Sequence, residues 1–163
     1  MNQELSTILS PSDINSLQGK FDATELATVY ATTLKSAYPL CGDLVNGIIK
    51  TFVGLATPVP SKHAPLSAAE QERIVIALLA SRGGQSNLAI HIYVAIANPT
   101  VALSVDQIGG ILLLTGVYTG IDHFAAGVRT AETTLTLLHT LVKDSKPLNP
   151  QAVVASILAT FNS

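Results

Sequence analysis

The sequence contains one cysteine, Cys41, and no tryptophan among its 163 residues. A single cysteine excludes an intramolecular disulfide, a dithiol redox couple and a zinc site built from several cysteines. Charged residues are also scarce, at 12% of the chain, where about 25% is usual for a soluble domain. This length and composition predict one globular unit that is large enough to bury its own core.

Clusters of basic residues and long apolar runs are missing as well. The most apolar stretch, residues 108–121, contains four glycines and is shorter than the roughly 18 residues that span a bilayer. The nine lysines and arginines are scattered singly, and the formal net charge is −2. We therefore expect neither a membrane span nor nucleic-acid binding. The first residues carry no basic segment followed by an apolar one, which predicts a cytoplasmic protein.

Signals for helix starts recur along the chain, whereas no segment combines strand-like alternation with hairpin turns. Capping boxes begin at Asp22, Ser67 and Ser104. Residues 1–20 show no sustained apolar period and are expected to form a surface lead-in. The sequence predicts an all-α fold of six to seven helices, with one helix in each of the ranges 23–38, 43–55, 67–81, 85–98, 104–117, 122–142 and 149–161.

One predicted helix, at residues 71–81, is apolar around most of its circumference, so we expect it to be central and buried. It carries Glu72, and the next helix, after Gly83 and Gly84, carries His91. A carboxylate beside an imidazole fixes the histidine tautomer and makes the ring a proton donor or acceptor near neutral pH. The alternative is a solvated glutamate and a half-buried histidine with structural roles.

The segment from Glu72 to His91 resembles the alkyl hydroperoxide reductase D-like (AhpD-like) branch of the carboxymuconolactone decarboxylase superfamily. The signature of that branch is Glu, eleven residues, Cys-x-x-Cys, three residues and His. Glu72 and His91 match this spacing, while Gly84 and Asn87 occupy the two cysteine positions. The resemblance covers residues 66–141, about half the chain, and includes the Gly-Val-Tyr-Thr-Gly run at 116–120.

This resemblance implies an AhpD-like helical bundle whose core spans residues 66–143. Residues 1–65 would form an N-terminal helical extension packed on that core, and residues 144–163 a C-terminal helix. Because neither Gly84 nor Asn87 can form a thiolate, dithiol peroxidase activity should be absent. Such an activity would survive only if Cys41 were brought beside His91.

The decarboxylase branch of the superfamily uses proton transfer on a carboxylated lactone, without a metal or an organic cofactor. By resemblance, His91 would be the general acid and Glu72 would orient it. Substrate carboxylates would need polar or cationic partners, for which Arg82, Asn87 and His123 are the candidates. His63 and His139 are expected at the surface, with no metal site.

Two hypotheses from different classes remain open. In the first, the chain is a cofactor-free lyase or isomerase that acts on a small carboxylated molecule through Glu72 and His91. In the second, it is a non-catalytic oligomer that keeps the fold after losing the chemistry. Members of the superfamily are similar in forming trimers or hexamers, and the 48% hydrophobic content agrees with helix faces covered by further copies of the chain.

Overall fold

The computed structural model describes residues 4–37 and 66–162, with the backbone alone for residues 34–37. All regular structure in these residues is helical, which confirms the all-α class. A short 3-10 helix, Leu5–Thr7, precedes seven α-helices. They are α1 (Pro11–Gln18), α2 (Ala23–Ala37), α3 (Ala68–Arg82), α4 (Gln85–Ala97), α5 (Val105–Thr119), α6 (Ile121–Lys143) and α7 (Pro150–Phe161). The helix predicted at 43–55 lies outside the described residues.

Helix α4 is the centre of the fold. Every residue from Leu88 to Ala97 is buried, and α1, α3, α6 and α7 all pack against this helix. The prediction that α3 is the central buried helix is wrong, because Ile74 and Leu78 of α3 are 46% and 53% exposed. Helix α3 lies at the edge of the bundle and buries the single face formed by Glu72, Ile76 and Ala80.

The N-terminal residues are also more deeply packed than the sequence predicts. The Ser10 hydroxyl accepts a hydrogen bond from the Asp13 backbone N–H, and the Asp13 carboxylate accepts one from the Ser10 backbone N–H, so α1 begins with a capping box. Leu9 and Leu17 are buried in the core, and α1 packs on α4 and α6. The expected surface lead-in is therefore wrong for this stretch.

The other helix starts follow local rules. Ser67 with Glu70, and Ser104 with Gln107, form two of the three predicted capping boxes, at the starts of α3 and α5. Asp22 accepts hydrogen bonds from two backbone N–H groups in the first turn of α2. These caps satisfy backbone donors that a helix leaves without intrahelical partners.

Close packing of α5 against α6 depends on two glycines. A Cβ at Gly116 would collide with the Phe124 side chain, and one at Gly127 would lie 3.0 Å from Leu112. Gly120 separates the two helices with φ 108° and ψ 161°, a positive-φ conformation that favours glycine.

Within the described ranges, no helix is both long and apolar enough to cross a bilayer. Helix α6 has 23 residues but presents charged side chains to solvent along its length, among them Asp122, Arg129, Glu132 and Lys143.

Candidate functional site

Glu72 and His91 are brought into contact by the turn between α3 and α4. The capping box at Ser67 begins α3 and places Glu72 in its second turn. Gly83 ends the helix with φ 71°, a conformation that favours glycine, and α4 begins two residues later at Gln85. As a result, Glu72 Oε1 lies 2.7 Å from His91 Nδ1.

The pair is largely enclosed by the protein. The His91 and Glu72 side chains are 10% and 11% exposed. An ionised carboxylate can only accept hydrogen bonds, so His91 donates from Nδ1 and Glu72 accepts. This contact engages Nδ1 and fixes the orientation of the ring.

A third titratable side chain, Tyr30 on α2, lies within electrostatic reach of this pair. Burial raises the pKa of the Tyr30 phenol, and the negative charge of Glu72 raises it further. The phenol therefore remains protonated near neutral pH. Sequence analysis places Tyr30 on a helix but assigns it no role, because 42 residues separate it from Glu72 and no motif joins them.

The other predicted site residues are Arg82, Asn87 and His123, on α3, α4 and α6. In the described part of the chain, none of them forms a hydrogen bond or a salt bridge with Glu72 or His91. Arg82 is exposed at the last position of α3, and Asn87 is exposed in the first turn of α4. Asn87 is not the N-cap of α4, because that position belongs to Gly84. His123 is partly exposed in the first turn of α6.

Two grooves are lined by described residues. One, of about 270 Å³, lies between α2 and α7 and is lined by residues that include Glu25, Thr28 and Leu158. The other, of about 480 Å³, lies between α3 and α5 and is lined by residues that include Arg73, Leu78 and Tyr118. Neither groove is lined by Glu72 or His91.

No group of three histidine, cysteine, aspartate or glutamate side chains is placed to hold a metal ion in residues 4–37 and 66–162. His63 lies outside these residues. His139 has a partly exposed side chain, as predicted for a surface residue, but its Nδ1 also lies 3.1 Å from Asp13 Oδ2. This second histidine–carboxylate pair joins α6 to α1.

No family model, curated protein or solved structure matches the chain.

Proposed function

We propose that this protein is a cofactor-free enzyme, similar to carboxymuconolactone decarboxylases, that transfers a proton on a small carboxylated substrate. His91 would be the acid–base group and Glu72 its positioning partner. The observation that supports this assignment is the 2.7 Å contact between Glu72 Oε1 and His91 Nδ1. A carboxylate in this position stabilises the imidazolium form and holds the ring in one orientation.

The chemistry would use the second ring nitrogen. When a carboxylated lactone loses carbon dioxide, the bond between the carboxyl carbon and its neighbour breaks, and the electron pair stays on the remaining fragment as an enolate. A proton from His91 Nε2 would then form the new C–H bond, and solvent would return a proton to the imidazole. Because the pair is little exposed to solvent, only a small substrate could reach it. The same low exposure would strengthen electrostatic interactions between the pair and that substrate.

Tyr30 supports the same assignment. Its phenol keeps its proton because burial and the charge of Glu72 both raise its pKa. The charge of Glu72 therefore acts on a second titratable side chain besides His91. Arg82, Asn87 and His123 remain candidates for binding a substrate carboxylate.

The second candidate is a non-catalytic protein in which Glu72 and His91 join α3 to α4 as a structural pair. The observation that favours it is the low exposure of the two side chains, 10% for His91 and 11% for Glu72. A catalytic histidine needs access to a bound substrate, whereas a structural pair does not.

Proton transfer can be tested directly with the purified full chain. A panel of small carboxylated lactones and keto acids would be incubated with the protein in deuterium oxide, and deuterium incorporation and carbon dioxide release would be followed by NMR. We expect His91→Ala to lower the rate roughly 100-fold or more, as is usual for loss of a general acid. His139→Ala is the matched control, because His139 also pairs with a carboxylate but at a different surface.

If the wild-type protein exchanges no proton with any compound of the panel, the non-catalytic candidate replaces the enzyme. If the wild type is active and His91→Ala keeps its rate, His91 is not the acid–base group and the proposal is wrong. A rate that falls with His91→Ala and stays constant with His139→Ala supports the proposal.

A further inference from the structure

Helices α3 and α5 leave a large apolar surface in solvent. On α5, Val117 and Tyr118 are 71% and 82% exposed, and Leu113 and Leu114 are both more than half exposed. This surface, called here the α3–α5 face, consists of Ile74 and Leu78 on α3 and Gly110, Leu113, Leu114, Val117 and Tyr118 on α5, and Ile121 extends it at the start of α6.

The α5 part of this face is one continuous stripe. Gly110, Leu113, Leu114, Val117 and Tyr118 recur at spacings of three and four, which places them on the same side of a helix. The opposite side of α5 carries the buried residues Ile108, Leu112 and Thr115. Helix α5 is therefore apolar on both sides, although its own bundle covers only one of them.

The groove between α3 and α5 offers few polar partners. The Ser81, Thr115 and Thr119 hydroxyls all donate to backbone carbonyls of their own helices. Arg73 is the one charged residue among those that line the groove. Whatever covers this groove must therefore be mainly apolar.

The size of the α3–α5 face exceeds what a monomer normally leaves in water. Together with Ile121, its large side chains present on the order of 800 Å², which equals one partner's share of a standard protein–protein interface. The largest apolar patch of a typical monomer is only about 300–600 Å². Leu113, Val117 and Ile121 lie outside the groove lining, so a small ligand in the groove would leave them exposed.

A glycine in the face gives a second, independent argument. Nothing lies within 4 Å of a Cβ built at Gly110, so the packing of this chain does not require a glycine there. Glycine is nevertheless unfavourable in the interior of a helix. At an outward position, the missing side chain allows the backbone of another helix to approach closely, as glycines at helix contacts generally do.

We propose that the α3–α5 face is a self-association surface on which a second copy of this chain packs the same face. The two α5 helices would cross near Gly110, with the leucines, Val117 and Tyr118 of each copy filling the space on either side. A closed two-fold contact of this kind buries the same patch on both copies and leaves no apolar face in solvent. This inference does not depend on the proposed enzymatic activity.

The test is the molar mass of the full chain in solution, measured by light scattering after size exclusion and by sedimentation equilibrium. We expect the wild-type chain to be at least dimeric at about 10 µM, as an interface of standard size allows. Leu114→Glu places a charge in the centre of the contact and should weaken association roughly 100-fold or more. Thr136→Glu adds the same charge at an exposed position on α6 and should leave the mass unchanged.

A second variant separates loss of association from loss of folding. Gly110→Leu improves helix propensity and meets open space within its own chain, so the monomer should remain folded, as circular dichroism would show. We expect it to be monomeric because the added side chain blocks the approach of the second helix. A monomeric wild type at about 100 µM, or an oligomer that both variants leave intact, overturns the proposal. Binding of a medium-chain fatty acid by a monomeric wild type would also overturn it and identify the face as a ligand groove.

Discussion

The Asp13 carboxylate of α1 lies 3.1 Å from Nδ1 of His139 on α6. The same carboxylate oxygen accepts a hydrogen bond from the Ser10 backbone N–H at 2.9 Å. Asp13 therefore caps its own helix and links that helix to the longest helix of the bundle. Because both contacts favour the ionised carboxylate, the stability of the folded protein should depend on pH.

The pKa of Asp13 gives the sign of this dependence. Burial opposes ionisation, but the hydrogen bonds from Ser10 and His139 outweigh it, and the pKa lies below its ordinary value of 3.8. A lowered pKa stabilises the folded state above pH 3.8, and this contribution is lost as the pH falls through the folded value. We expect Asp13→Asn to reduce the free energy of unfolding by roughly 1 kcal/mol at pH 6, the usual size of a capping effect.

Urea unfolding of Asp13→Asn and the wild type between pH 2.5 and 7 would check this prediction. The difference between the two proteins should begin to shrink below about pH 3.8, where Asp13 is protonated in the unfolded state, and should be smallest below its lower folded pKa, where it is protonated in both states. His139→Ala removes only one of the partners and should lose less stability than Asp13→Asn. A difference that stays constant down to the lowest pH would contradict the assignment.

Gly116 is required by the packing of α5 on α6, because a Cβ there would collide with the side chain of Phe124. We expect Gly116→Ala to lower the free energy of unfolding by about 1–3 kcal/mol, the usual cost of overpacking. Gly109→Ala is the matched control, since it changes another glycine of α5 with open space around its Cβ. It should stabilise the chain by up to about 1 kcal/mol through helix propensity. Equal effects of the two substitutions in thermal unfolding would show that α5 does not approach α6 at Gly116.

Sequence analysis predicts the parts of this fold that depend on neighbouring residues. The caps at Ser67 and Ser104 join residues three positions apart, so the pattern alone predicts them. The sequence pattern does not show which apolar helix is central, because α3 and α4 are both rich in apolar residues. Only the packing of the helices shows that α4 is the enclosed one. The apolar residues Ile74 and Leu78 of α3 lie on its exposed outer face instead.

At the candidate site, too, sequence analysis finds relationships between nearby residues and misses those between distant ones. The spacing of Glu72 and His91 across a glycine turn allows the two side chains to meet but does not establish a contact, and the structure places them 2.7 Å apart. Tyr30 and the Asp13–His139 pair are absent from the sequence-based prediction, because their partners are 42 and 126 residues away. Pairing over such distances depends on how the helices pack, and a local sequence pattern cannot predict it.

Glu25 on α2 stabilises the start of α7. Its carboxylate accepts hydrogen bonds from the Asn149 side chain and from the Gln151 backbone N–H. Asn149 is the N-cap residue of α7, but its own side chain makes no capping hydrogen bond. We expect Glu25→Ala to cost about 1–2 kcal/mol of unfolding free energy, because an uncapped helix start loses roughly this much. Thr24→Ala, at the neighbouring exposed position, should change stability far less. Chemical denaturation would measure both, and an unchanged midpoint for Glu25→Ala would rule out the capping role.

The Glu72–His91 contact makes a prediction that does not require a substrate. Since the carboxylate only accepts hydrogen bonds, a neutral His91 must carry its proton on Nδ1. Nitrogen-15 NMR of the histidine rings should therefore show a single Nδ1–H tautomer for His91 above the pH at which it loses its charge. In Glu72→Ala, we expect the Nε2–H tautomer to appear, with a loss of about 1–3 kcal/mol in unfolding free energy for the broken buried hydrogen bond. The His139 signal should stay unchanged in this variant, because its partner is Asp13. A mixture of tautomers in the wild type would mean that Glu72 does not orient the ring, and the proton-transfer role proposed for His91 would lose its structural basis.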